Sequence, residues 1–402
     1  MKILMIVKSL HHSYMGGIQT HVWKIARQLT DRGNEVWIMV AQNIFHPAKP
    51  FIDSGIHIIP IPYISGNLRF FHFFLIDEVS FNIGVWQRIK KYLADDRGFF
   101  DVIHIQGRSG FLYPLFKKSG FPPSVVTFHG TMKNENEAAL RDRTMPLKRR
   151  LELKLIQSYA TKIEKMLIAK SDRLIAVSNQ MATTLAQQFG LKDRKIDIVY
   201  NGLDPKEFYP SSEKQIPFRI VSVARLDPRK GLIYLIEATR QLKDEFPELT
   251  VHIVGEGSQR PVLERKINEL GLQNVVTLIG SKRGEELLNE YQAAELFVLP
   301  SLGESQGIVF MEAMACGLPV VGFNIGGVDE VVRDGIDGYL AEKENVTSLI
   351  NAIRRIFLNK EQGKQMGMRG RERIMRHFQW RQIAVRTESI YKELISERHK
   401  QG

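Results

Sequence analysis

Two glutamates, Glu304 and Glu312, bracket the segment ESQGIVFME. Apolar spacing predicts a helix over 307–316, which would place Glu312 about a turn and a half inside it and Glu304 in the loop before it. Ser305, Gln306 and Gly307 would then present backbone N–H groups at the helix start, where hydroxyls or oxyanions bind. Carboxylates at two depths can grip two parts of one polyhydroxy ligand. A helix-start acid and a surface acid is the plainer reading. Against it, Ile308, Val309, Phe310, Met311, Ala313 and Met314 surround Glu312, and a carboxylate in such company needs a partner.

Basic chemistry sits elsewhere. Arg225 and Lys230 lie five apart in VARLDPRKG, a loop after an apolar run. A planar guanidinium fork and an ammonium point charge together suit a diphosphate; a water-facing basic loop, with Arg229 as its solvated member, is the alternative. Gly16 and Gly17 follow the first apolar run and precede a helical pattern, so backbone N–H groups could approach an anion there. An ordinary tight turn is the competing reading. His129 ends the run SVVTF, at the strand end where ligands gather in parallel sheets, although a lone His is also a common structural residue. No Asp-X-Asp and no Cys/His cluster of metal spacing occurs, so Arg, Lys and helix dipoles, and no motif-bound metal or other cofactor, are expected to meet a diphosphate's charge.

The elements that must hold these residues alternate. Strands are predicted at Lys2–Val7, Glu35–Ala41, Gly55–Pro60, Asp101–Ile105, Ser124–Phe128, Asp172–Val177 and Lys195–Tyr200, with a helix over Ile18–Thr30. A polar, Pro-punctuated stretch over 205–217 reads as a linker. The pattern then restarts with strands at Phe218–Val223, Leu249–Val254, Val275–Ile279, Leu296–Leu299 and Pro319–Phe323, separated by helices. Residues 346–400 read as helical throughout. The fold class is therefore α/β, two Rossmann-like βαβ domains over 1–204 and 218–384, facing across a cleft.

Charge divides unevenly. The chain of 402 residues has a formal net charge of +12. Residues 1–205 hold 28 Lys+Arg against 17 Asp+Glu, and 206–402 hold 28 against 27. Nucleic acid, an anionic membrane or an acidic substrate could each explain the basic half. No nucleic-acid recognition motif supports the first. Within 141–173, Leu147, Leu151, Leu155, Tyr159 and Ile163 recur at i, i+4 among ten Lys+Arg. Nearby, Phe70, Phe71, Phe73, Phe74, Phe81 and Trp86 cluster in sequence. A membrane-facing surface is one reading; core packing is the one favoured for most of these side chains. The single Cys316, the short N-terminal apolar run and the absence of a span of about 20 apolar residues point to the cytoplasm, with peripheral attachment to the membrane's cytoplasmic face as a further expectation.

Taken together, the chain resembles glycosyltransferase family 4, retaining nucleotide-sugar transferases of the GT-B fold. The likeness runs through GGIQTHV from Gly16, DVIHI from Asp101, TFHG from Thr127, AVSN from Ala176 and VYNGLD from Val199. It continues through the Arg225/Lys230 loop, HIVGEG, VLPS and ESQGIVFMEAMACGLPVV, followed by Gly326-Gly327. The resemblance implies that Glu312 binds ribose hydroxyls and that Glu304, with Ser305, Gln306 and Gly307, holds the donor sugar. It further implies that Arg225 and Lys230 stabilise the leaving diphosphate, that Gly16 and Gly17 lie beside the phosphates, and that His129 lies near the reacting sugar. It makes 1–204 the acceptor side and 218–384 the donor side, with 385–402 packing back on the first domain. Many members carry an aromatic residue where this chain has Gln306.

The expected activity is transfer of a sugar from a nucleoside diphosphate sugar to a hydroxyl acceptor, carried on a lipid or otherwise, in cell-surface polysaccharide or glycolipid synthesis. A nucleotide-sugar epimerase or hydrolase of the same fold, or a non-catalytic sugar-binding subunit, are the rivals.

Overall fold

The computed structural model describes residues 1–10, 17–43, 49–64, 71–141, 145–211 and 215–400. They divide into two compact units, 1–202 with 380–402, and 203–379. In the first unit the elements run β1 (Lys2–Val7), α1 (Gly17–Asp31), β2 (Glu35–Asn43), β3 (Phe51–Asp53), β4 (Ile56–Tyr63), α2 (Phe71–Asp95) and β5 (Val102–Gln106). They continue α3 (Leu112–Phe116), β6 (Ser124–Phe128), α4 (Met132–Arg141), α5 (Leu147–Lys170), β7 (Arg173–Ala176), α6 (Asn179–Phe189) and β8 (Ile196–Ile198). The sheet order is β3-β4-β2-β1-β5-β6-β7-β8. All its pairings are parallel except that of β3 with β4.

Continuous apolar runs make both sheet faces buriable, as a parallel sheet requires. Ile3, Met5 and Val7 face one core with α1, and Leu4 and Ile6 face another with residues of α2, α5 and α6. Alternation along β1 thus assigns each helix layer its face.

The second unit runs β9 (Arg219–Val223), α7 (Leu232–Glu245), β10 (Thr250–Val254), α8 (Arg260–Glu269), β11 (Val276–Gly280), α9 (Gly284–Ala293) and β12 (Leu296–Leu299). It ends α10 (Ile308–Ala315), β13 (Val320–Phe323), β14 (Gly338–Ala341), α11 (Val346–Leu358) and α12 (Lys360–His377). Its parallel sheet has the order β11-β10-β9-β12-β13-β14. Strand order reverses between β9 and β12, and in the first unit between β1 and β5. Ligands bind beyond the strand ends at such reversals.

Several expectations need correction. The described part of 205–217 is no free linker, because the Tyr209 carbonyl accepts from Gln292 Nε2 at 2.8 Å and Phe208 packs edge-on against Tyr291. The helical tail is three helices, broken at Asn359, whose side chain caps α12, and at Phe378–Gln379. The returning helix α13 (Trp380–His399) starts five residues before the expected 385. Short strands β3 and β14 escaped the pattern.

The leucine series on α5 is the main reversal. Leu147, Leu151 and Leu155 are 71%, 52% and 57% exposed, whereas Ile163 packs against the core. An i, i+4 series drifts about 40° per step around a helix, so about 160° separates its first and fifth members. The face that is buried instead carries Ala160, Glu164, Leu167 and Ile168. Of the aromatic cluster, Phe81 is fully buried. Phe70 and the side chains of Phe71, Phe73 and Phe74 lie outside the described residues.

Candidate active site

In the second unit, the loops after β9 and β12 are neighbours because their strands pair. A backbone bond from Leu302 N to Arg229 O, 2.7 Å, ties them together. Across this seam Lys230 Nζ donates to Glu304 Oε1 at 2.6 Å, and Ser301 Oγ donates to the same oxygen at 2.8 Å. The two side chains are 13% and 9% exposed. Burial alone would raise the Glu304 carboxyl. The charges of Lys230 and Arg229 and the two hydrogen bonds outweigh it and hold the group below the usual carboxylate range.

Arg225 lies apart from that pair. Its guanidinium is 66% exposed and 3.1 Å from Asp227. Arg229 is the half-buried arginine that acts on Glu304, so the solvated member of this loop is Arg225, the reverse of the sequence reading.

Glycine geometry shapes the Glu304 loop. Gly327, at φ +90°, runs so close to it that a Cβ would sit 2.7 Å from the Glu304 carbonyl. Gly307, at φ +81°, is the N-cap of α10. Both positions need the left-handed region. Ser305 precedes this cap, and the Gln306 side chain is buried with its amide 3.4 Å from Met311 Sδ. Glu312, inside α10, accepts from Tyr291 Oη at 2.7 Å. Desolvation pushes its carboxyl up to about 7, against the Tyr291 hydrogen bond and with like charge from Glu207. The neighbouring glutamates are therefore driven in opposite directions.

The first unit gathers neutral groups. His129 follows β6 and donates from Nε2 to Gln106 Oε1, 2.9 Å. The Gln106 amide nitrogen donates in turn to His104 Nε2, 3.2 Å, which also accepts from Thr127 Oγ1 at 2.7 Å. His104 must then carry its proton on Nδ1, where it donates to Tyr391 Oη of α13 at 2.5 Å. The chain of bonds fixes His129 as the Nε2–H tautomer, leaving Nδ1 as the acceptor nitrogen. His21 of α1 donates from Nδ1 to Asn201 Oδ1 at 2.8 Å and packs edge-on against His129, ring centroids 4.6 Å apart. Burial lowers His21 to about 4 and His104 to about 3, and holds His129 well below its ordinary value. Gly17 opens α1 after the β1 loop, whereas Gly16 lies outside the described residues.

The structure thus brings Lys230 and Glu304 together across one seam in the second unit, with Ser305, Gln306 and Gly307 next along the chain and Glu312 inside α10, held by Tyr291. Sequence reasoning missed Ser301, Tyr291, Gln106, His104, His21 and Asn201. Gln106 and His104 carried a readable signal, since residues i and i+2 of a strand share a face.

Comparison with known proteins decides the family. Residues 15–207 match the family described as Glycosyltransferase Family 4, and residues 205–373 match Glycosyl transferases group 1. The MMP alpha-(1->4)-mannosyltransferase of Mycolicibacterium hassiacum is 30% identical over 315 residues, 77% of this chain and 74% of that protein. The chain belongs to glycosyltransferase family 4. An uncharacterised glycosyltransferase of Methanocaldococcus jannaschii is 28% identical, over 98% of this chain and 99% of its own. Among solved structures, sucrose-phosphate synthase from Thermosynechococcus elongatus superposes with a TM-score of 0.80 at 22% identity, covering 98% of this chain and 99% of that one. Anabaena HepE, solved with UDP and glucose, gives 0.72 at 20% identity, covering 98% and 100%. The fold of this family 4 member is GT-B, and it is a glycosyltransferase.

Proposed function

We propose that this glycosyltransferase moves a sugar from a nucleoside diphosphate sugar to a hydroxyl acceptor with retention of anomeric configuration, in cell-surface polysaccharide or glycolipid synthesis. The observation that carries the reading is the buried Lys230–Glu304 pair at the β9/β12 reversal, with Glu312 farther along the same segment. Glu312 accepts from the ribose hydroxyls. Glu304 and the N-terminus of α10 hold hydroxyls of the donor sugar. Lys230, with Arg225 and Arg229, takes up charge on the departing diphosphate. In the first unit, neutral His129 accepts from a sugar hydroxyl through Nδ1.

The bond from the anomeric carbon to the diphosphate oxygen breaks with both electrons on oxygen. The acceptor oxygen then attacks the same face, and its proton passes to the departing phosphate. No step calls for a carboxylate nucleophile. The test is to incubate the protein with nucleoside diphosphate sugars and hydroxyl acceptors and follow the first product by NMR. An α-linked donor should give an α-glycoside. A β-glycoside would overturn retention. Sugar release or epimerisation that proceeds without acceptor, with no glycoside formed, would overturn transfer.

A further inference from the structure

We propose that the exposed face of α5 docks the first unit onto an anionic lipid surface. This inference does not depend on the donor chemistry, since α5 contributes no residue to the site above.

The N-terminal half of α5 exposes three leucines, Leu147, Leu151 and Leu155, each more than half accessible. At 1.5 Å per residue they form a ridge about 12 Å long. Isolated exposed leucines are unremarkable, but a ridge of three on one helix face is an apolar strip. Its flanks and its continuation toward the C-terminus are cationic: Lys148, Lys154, Lys162 and Lys165 are all exposed. The helix carries seven Lys and Arg against two Glu. Glu152 pairs with Arg149 at 3.3 Å and Glu164 is buried on Arg108 and the Met132 N–H, so both acids are engaged away from the four exposed lysines. An apolar ridge bordered by ammonium groups without free carboxylates matches a surface with anionic headgroups above hydrocarbon.

The setting supports a fixed platform. Glu164, Leu167 and Ile168 anchor the opposite face of α5 in the core. The neighbouring α3 exposes Leu115 and Phe116, followed by exposed Lys118. Among the described residues no helix is long and apolar enough to cross a membrane.

The occupant is a lipid surface, and a second copy of the chain is the competing outcome. The four exposed lysines beside the ridge would repel the same face of a partner related by two-fold symmetry.

The test uses the full chain with vesicles of phosphatidylcholine containing 30% phosphatidylglycerol, and with phosphatidylcholine alone. The expected result is binding to the anionic vesicles that weakens as salt is raised. The triple variant Leu147→Ser, Leu151→Ser, Leu155→Ser should lose at least tenfold in vesicle affinity. Lys154→Gln with Lys162→Gln should lose about 25-fold at low salt, roughly fivefold per charge. Because these side chains are exposed, melting temperature and turnover on a soluble acceptor should stay within error. Leu151→Trp should show blue-shifted emission on anionic vesicles, which adsorption without insertion would not produce. Three results would overturn the proposal: equal binding to both vesicle types, anionic-vesicle binding unchanged in the leucine variant, or a concentration-dependent dimer that the leucine variant abolishes while no vesicles bind.

Discussion

The two units place their chemistry at the same topological point and solve opposite electrostatic problems there. In each, strand order reverses beside the first strand, and side chains gather in or just after the carboxyl-terminal parts of the strands. The second unit buries charge, with an ammonium and a carboxylate 2.6 Å apart. The first unit buries neutral groups: two imidazoles joined through an amide, with a third imidazole, His21, packed edge-on against His129. Charge suits the handling of a diphosphate; a neutral chain suits the reading of hydroxyls, because each nitrogen has a fixed role as donor or acceptor. One scaffold therefore offers two electrostatic settings, set by which side chains stand near the strand ends.

Acid should separate the two units most strongly. His21, His104 and His129 all have folded-state values below the ordinary 6.5. The unfolded chain then binds more protons, and stability of the first unit falls as pH drops below about 6.5. Between pH 7 and 5.5 three such groups cost about 4 kcal/mol together. Glu312 works the other way. With a folded value of about 7, it holds its proton when the unfolded chain has lost it, so acidification over this range favours the second unit. Calorimetry across pH should show a transition for the first unit that falls steeply, and one for the second unit that falls less or rises. Two transitions moving in parallel would break the comparison.

Removing the ammonium should sharpen it. Lys230→Ala strands the Glu304 carboxylate in a buried setting and withdraws the charge that a diphosphate would meet. Turnover should drop by about 10²–10³, and the second unit should lose about 3 kcal/mol of stability. Adding Glu304→Gln should recover much of the stability and none of the turnover. A single variant that melts normally would show that the pair is not coupled, as denaturation curves of the four chains would reveal.

How much of this was legible follows from range. The strands β1, β6 and β12 are short apolar runs whose bounds are set locally, and Lys2–Val7, Ser124–Phe128 and Leu296–Leu299 were read correctly. Lys230, Glu304 and Glu312 announce themselves by order and spacing. The histidine chain does not, since it needs β5 beside β6 and a helix returning from residue 380 to set Tyr391 against His104. The α5 leucines failed for a geometric reason: their period was plain, but a series that drifts around the helix does not say which end meets the core. Gly327 was legible as part of a pair, and only the fold shows that it lies against the Glu304 carbonyl.

The smallest effects should come from the neutral chain, graded by distance from His129. Gln106→Leu removes the acceptor that holds the His129 proton on Nε2 and leaves His104 Nε2 with Thr127 alone. The side chain is nearly isosteric, so the sheet should stand. Turnover should fall about tenfold, the value of one lost buried hydrogen bond to a reacting partner. A purely structural role would lower stability without touching the tautomer, so the decisive readout is the ¹⁵N spectrum of the His129 ring, which should move from a single Nε2–H form to a mixture. Tyr391→Phe acts one link farther out. It leaves Gln106 in place and frees His104 Nδ1–H, so turnover should fall no more than about threefold and the His129 spectrum should hold. If Tyr391→Phe shifts that spectrum as much as Gln106→Leu does, the chain transmits its polarity end to end. Gln106 would then be only one link in it, not the group that sets the tautomer.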